Sequence, residues 1–371
     1  MNNNTCKPLT TYQSEYFDFF RGLSAVLVLL SHICQIFWNK YFQDEMLNSI
    51  VNAISGIAVM VFFVLSGFLI STTIYRNLVK NNFKCFDSKR FIIDRLVRLY
   101  PPLLFTFILM CLIFFVSMQM GLEGARMTIE WNNLIGSMFF LQNFYSYIQI
   151  PLMNGPLWSL SWEFWYYMFA LLFVLTIKKS WHYFFYLILL FVLAAYSLRG
   201  LEFFSGLVVW CSGSLAFFLY QLGWGSKKYH QTLTFIALSI GLGISYFFFT
   251  TDIQSNIFTG GKKYVAGLTF SLIVVWILIQ KKDSSFIQKN ILFRFFKRSS
   301  SYSYTLYIVH FPILYFIYLA FNMSGMTDVQ LMFMSIISIL FSVLFSAFFS
   351  RFLEAKEVLN SIKKFINRFP Y

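Results

Sequence analysis

The run IVNAISGIAVMVFFVLSGFLISTTIY, residues 50–75, decides the fold class, because it holds no Asp, Glu, Lys or Arg between Ile50 and Tyr75. Crossing about 30 Å of hydrocarbon takes about 20 mostly apolar residues in a helix, so this run can span a bilayer. Similar runs lie near residues 18–38, 99–119, 156–177, 181–198, 203–221, 231–250, 264–280, 303–322 and 330–352. Together they predict an all-α fold, a polytopic membrane helical bundle of about ten transmembrane helices. Little chain is left over. Residues 1–371 are read as one integral-membrane domain, its core over about 16–355, with no extra soluble domain. The first run, near Phe19–Trp38, is too long for the apolar part of a signal peptide and lacks a small-residue cleavage site. It is read as a retained first helix.

Composition points the same way. The chain is 58% hydrophobic and 12% charged, about half the charge of an ordinary soluble domain. The formal net charge of +14 would raise nucleic acid as a partner in a soluble protein. Here the basic residues fall between the apolar runs, so the expected partner is the lipid bilayer, and no nucleic acid is expected. Cys6, Cys34, Cys85, Cys111 and Cys211 show no paired spacing, so neither a disulfide framework nor a metal site is read from them. With the N-terminus in the cytoplasm and ten spans, the inner segments hold about 23 Lys and Arg and the outer ones about 5, among them Arg126. An odd number of spans would put the basic termini on opposite sides, so both termini are expected in the cytoplasm. Pro101 and Pro102 fit a helix start, where a missing N–H costs little. The stretch Leu122–Pro156, rich in Trp, Asn and Tyr, reads as a long amphipathic loop on one face.

Ionisable groups inside spans are costly and commonly line a cavity or a reaction path. Arg21 and His32 share the first helix eleven positions apart, which is about three turns plus 20°, so both leave nearly the same face about 16 Å apart. Glu163, about seven residues into its span, falls at nearly the depth of His32. A carboxylate at that depth would fix the imidazole tautomer and raise its basicity. The plain readings are a snorkelling arginine, a histidine bonded to a backbone carbonyl, and a structural glutamate held by a neighbouring Trp or Ser. Arg95 and Arg98 stand at i, i+3 and form a fork for phosphate oxygens; they also serve positive-inside topology or anionic lipid headgroups. His310 lies midway through the ninth run, beside Tyr302, Tyr304, Thr305 and Tyr307, as a proton carrier or a satisfied helix contact. Ser66 and Gly67 suggest close helix packing.

Taken together, these segments resemble acyltransferase family 3, the bacterial integral-membrane acyltransferases. Asp18-Phe-Phe-Arg21 followed by His32 resembles that family's Arg, ten residues, then His. Phe62–Ile70, Arg95-Leu-Val-Arg98-Leu-Tyr-Pro, Gly155–Glu163 and Ser301–Pro312 are similar to four further motifs, in the same order. One departure stands out: the family's Ser-Val-Glu-Glu is Ser161-Trp162-Glu163-Phe164 here, leaving one carboxylate where two often stand.

The resemblance implies an O-acyltransferase of the bacterial inner (cytoplasmic) membrane. It would move an acyl group, most commonly acetyl, from cytoplasmic acyl-CoA (acetyl-CoA) to a hydroxyl of a surface or exported saccharide or glycolipid, such as an O-antigen. No permanently bound cofactor is expected. His32 would act as general base and Glu163 would orient it. Arg21, Arg95 and Arg98 would receive the acyl-CoA phosphates, and Trp158, Ser161, Tyr307, His310 and Ser66 would support the substrate or the base. The competing reading is a secondary transporter with a buried Arg, His and Glu path. Against it, no inverted repeat and no matching pair of Gly/Pro-broken helices occurs.

Overall fold

The structure, a computed structural model, describes residues 6–41, 45–122, 124, 127–142, 145, 147–197, 199–250, 261–280 and 290–366. Arg126, Lys281, Lys282, Lys289 and Arg368 of the topology count lie outside the described residues. The regular elements among the described residues are all helical. In chain order the helices are α1 (Thr11–Phe37), α2 (Glu45–Lys80), α3 (Ser88–Gln119), α4 (Trp131–Met138), α5 (Trp158–Lys178), α6 (His182–Ala195) and α7 (Gly200–Gln221). They continue with α8 (Lys228–Thr250), α9 (Gly261–Ile279), α10 (Ile291–Ser299), α11 (Ser303–Ala320), α12 (Asp328–Leu353) and α13 (Lys356–Ile366).

Each of the ten expected runs forms a helix, and eight helical stretches among the described residues are long and apolar enough to cross a membrane. The other two expected spans are α6 and α8. The 14 residues of α6 rise only about 21 Å at 1.5 Å per residue, and α8 opens on Lys228, His230 and Gln231.

The surface chemistry of α12 shows what solvent the chain is built for. Ser335, Ser338, Ser342, Ser346 and Ser350 form its buried stripe, while Phe333, Ile337, Phe341, Leu344, Phe348 and Phe352 are exposed. Small polar side chains inside and large apolar ones outside is the reverse of a water-soluble helix. In lipid, small residues let helices approach closely and apolar faces meet acyl chains at no cost. Thr327 and Gln330 cap this helix reciprocally, satisfying donors that the bilayer cannot.

Two expectations about local structure change. Pro101 and Pro102 do not start a helix: α3 begins at Ser88, so both prolines lie inside it. Their missing N–H groups remove the bonds to the carbonyls of Val97 and Arg98. Arg95 and Arg98 are thereby on the same continuous helix, so their i, i+3 relation is a real one. The Leu122–Pro156 stretch is not all loop, since it contains α4 and ends in a 3₁₀ turn, Leu152–Leu157.

The chain forms two compact units. The first comprises residues up to Ser24, Gly56–Ser88 and Glu163–Arg298; the second comprises Ala25–Ser55, Lys89–Trp162 and Ser299–Tyr371. In the first, α9 packs on α7 and α8. Its tightest crossing is α2 on α7: a Cβ at Gly67 would meet the Trp210 carbonyl oxygen at 2.0 Å, and one at Gly213 the Val64 oxygen at 1.9 Å. The packing role expected of Gly67 is what its position requires. In the second unit, α11 packs on α12 and on the 3₁₀ turn before α5.

Candidate active site

In the second unit, α1 and α11 bring His32 and His310 together. His32 Nδ1 lies 2.8 Å from His310 Nε2, and the rings stack with centroids 5.0 Å apart at 19°. Phe311 closes one side, its ring edge-on to His32 at 5.1 Å. His310 is fully buried. Its Nδ1 lies 2.8 Å from the Leu306 carbonyl oxygen, which can only accept, so His310 carries its proton on Nδ1. With one proton per ring, His310 Nε2 is then an acceptor and His32 Nδ1–H must donate to it. That assignment places the lone pair of His32 on Nε2, where it can accept a proton. The sequence reading gave an orienting role to Glu163; the structure gives His32 Nδ1 a bond to His310.

The backbone around His310 is held by an unusual complement. Pro312 has no N–H, so the Ile308 carbonyl loses its helical partner. Asn154, fully buried in the turn before α5, donates its Nδ2–H to that oxygen at 2.7 Å. One residue earlier, the Tyr307 hydroxyl donates to the Pro156 carbonyl at 3.0 Å and accepts from Ser159 Oγ at 2.6 Å. The segment Asn154–Ser159 is thus fastened to the helix that carries His310. Ser161 donates to the Phe140 carbonyl at 2.5 Å, where Phe140 has a φ of 58°. Trp158 packs edge-on to Trp162 at 4.8 Å. Tyr304 donates to the Leu99 carbonyl at 3.1 Å, and Thr305 to Glu354.

Arg95 is half-buried and Arg98 exposed on α3. Their neighbour Asp94 pairs with Lys363 at 2.6 Å, so the acidic residue of that segment is already neutralised by a lysine.

The first unit holds the other polar cluster. Ser66 donates to Glu163 Oε1 at 2.9 Å, Tyr167 donates to the same oxygen, and Trp210 Nε1–H donates to Ser66 Oγ at 3.3 Å. Ser66 therefore does more than allow packing: its hydroxyl fixes a carboxylate. Arg21, half-buried, lies 3.6 Å from Asp18 one turn earlier on α1. Among the described residues no group of three or more His, Cys, Asp or Glu could hold a metal ion.

Sequence reasoning missed Tyr167, Trp210, Asn154 and Ser159. Tyr167 stands at i+4 from Glu163, a spacing that alone puts the two on one helical face. Pro312 signals an orphaned carbonyl at Ile308, and Asn154 beside Gly155 is a fitting donor for it. Trp210 is on a separate helix and had no such signal.

The chain holds membrane-length helices and a hydrogen-bonded imidazole pair, His310 buried and His32 half-buried, and comparison with known proteins defines its class. The profile of the family described as Acyltransferase domain matches residues 14–351. The chain belongs to that acyltransferase family, acyltransferase family 3. It is also similar to the Acyltransferase MdmB of Streptomyces mycarofaciens, at 28% identity over 166 residues. That alignment covers 43% of this chain and 38% of the relative's own length. No solved structure matches.

Proposed function

We propose that the protein is a multi-pass membrane acyltransferase that moves an acyl group, acetyl in the simplest case, from cytoplasmic acyl-CoA to a hydroxyl of an exported saccharide or glycolipid. The observation that carries this reading is the His32–His310 pair, whose hydrogen bonds direct a lone pair onto His32 Nε2. That nitrogen takes the proton of the acceptor hydroxyl as its oxygen bonds to the thioester carbonyl carbon. The tetrahedral intermediate collapses, the C–S bond breaks, and the departing CoA thiolate takes the proton back from the imidazolium. His310 is the positioning residue: it holds the tautomer and, through Nε2, stabilises the charge that His32 acquires. A covalent acyl-His32 intermediate uses the same lone pair.

Arg95 and Arg98, on one face of α3, are proposed to meet the acyl-CoA phosphates, the bidentate geometry for which guanidinium is suited. Arg21 carries the same proposal on its own unit. Glu163, fixed by Ser66 and Tyr167, remains a proposed catalytic group, its position set by two hydroxyl donors. A bacterial cytoplasmic membrane is where such a donor and an exported acceptor meet.

The test uses purified protein, radiolabelled acetyl-CoA and a panel of envelope glycans. Transfer of label to a glycan is the expected result. Failure to bind acetyl-CoA, with substrate flux across proteoliposomes, would overturn the reading in favour of a transporter.

A further inference from the structure

One cavity in the second unit combines carboxamide and phenol side chains. It measures about 540 Å³ and is lined chiefly by Gln35, Asn39, Asn48, Asn52, Tyr315 and Tyr318, a volume within the usual range of small-ligand sites. Two of its walls grow from the helices that carry the imidazole pair. Gln35 follows His32 by three residues on α1, and Tyr315 follows His310 by five on α11. The rises are about 4.5 and 7.5 Å, so the lining begins one to one and a half turns beyond the pair.

The lining chemistry is selective. Four carboxamides each donate and accept hydrogen bonds, which is what a ring bearing several hydroxyls requires. The amides are set in order: Gln35 Nε2 donates to Asn52 Oδ1 at 2.7 Å, and Asn52 Nδ2 donates to Asn48 Oδ1 at 2.9 Å. The rings of Tyr315 and Tyr318 lie nearly parallel, 14° apart with centroids at 6.3 Å, offering flat surfaces for the C–H face of a sugar. None of these six residues is charged. An acidic sugar would call for a guanidinium or ammonium partner, and Lys40, next to Asn39, is already paired with Asp328 at 2.7 Å.

We infer that this cavity is the acceptor subsite and that it takes a neutral saccharide ring, presenting one hydroxyl toward His32. The inference rests on the acyl-transfer reading of His32 and adds to it the residues and the charge class of the acceptor.

The experiment uses the full chain in nanodiscs, with maltose and diacetylchitobiose as neutral probes and a hyaluronan disaccharide as the acidic one. Saturation-transfer NMR reads binding, and radiolabelled acetyl-CoA reads transfer to the same sugars. Wild type is expected to bind a neutral probe at least tenfold more tightly than the acidic one. Gln35→Leu with Asn52→Leu is expected to weaken that binding about tenfold or more, with kcat largely kept, each lost hydrogen bond contributing about 1 kcal/mol. Gln35→Ala and Asn48→Ala singly give the same direction should the double variant not fold. Unchanged binding in these variants, a preference for the acidic sugar, or no saccharide binding to wild type would overturn the subsite. His32→Ala separates the two readings: it is expected to bind the sugar as wild type does and transfer nothing. Label transfer by that variant would sink the acyl-transfer reading, whereas transfer that needs His32 but ignores Gln35 and Asn52 would sink only the subsite.

Discussion

Replacing His310 with Phe keeps a ring of similar shape in a fully buried position and removes the acceptor that His32 Nδ1–H now has at 2.8 Å. A hydrogen bond to a group that becomes charged is worth about 1.5–3 kcal/mol, and at 1.36 kcal/mol per decade its loss as His32 becomes imidazolium is about 13- to 160-fold in rate. The loss falls on kcat, because the His32 ring no longer has a reason to hold its proton on Nδ1; the KM for acyl-CoA should not move. His310→Gln returns a carbonyl oxygen near the same place and should recover much of the rate. The kinetic assay is label transfer from acetyl-CoA by purified protein, with a melting curve to show that each variant is folded. A second readout is available because the chain has only four histidines, His32, His182, His230 and His310. In [15N]histidine spectra both His32 and His310 should carry the proton on Nδ1. A His310→Phe enzyme with wild-type kcat, or a wild-type His32 protonated on Nε2 with its lone pair on Nδ1, would refute the reasoning.

Three more outcomes follow from the geometry. Gly67→Val should lower stability by about 2–3 kcal/mol or more, the upper end of overpacking costs, since even a Cβ there meets the Trp210 carbonyl at 2.0 Å; a thermal melt in detergent checks it, and an unchanged melt would contradict the α2–α7 crossing. Tyr307→Phe removes the bond to the Pro156 carbonyl and should cost about 1 kcal/mol of stability with a drop in kcat; a variant unaffected in both would show that the Asn154–Ser159 segment is held by other contacts. Arg95→Ala combined with Arg98→Ala should weaken acyl-CoA binding at least tenfold by calorimetry, and more at low than at high salt; unchanged affinity would leave those arginines with topology alone.

Much of the fold was legible because the physical requirement is coarse. A run such as Ile50–Tyr75 can only be a helix in lipid, and every expected run is helical. The boundaries were less so. Pro101 and Pro102 argued for a helix start, yet α3 runs from Ser88 through both; helices in lipid tolerate interior prolines more readily than soluble ones. The 14-residue α6 shows that apolar character alone does not fix span length. For the site, periodicity and depth singled out His32 and His310 separately, without showing that their rings meet at 2.8 Å. Depth along a helix is a one-dimensional estimate; which helices are neighbours is decided by packing, and α1 meets α11 through the histidines. Ser66 was underrated for the same reason, since the carboxylate it holds is distant in sequence, whereas Tyr167 could have been found by counting four residues on from Glu163.

The most direct test is single-turnover transfer of label from radiolabelled acetyl-CoA to an acceptor glycan by wild type and by His32→Ala, with and without added imidazole. Transfer by wild type, loss to background in the folded variant, and partial return of transfer with imidazole would be the result of a base supplied by His32 Nε2. Transfer by His32→Ala at the wild-type rate would contradict it.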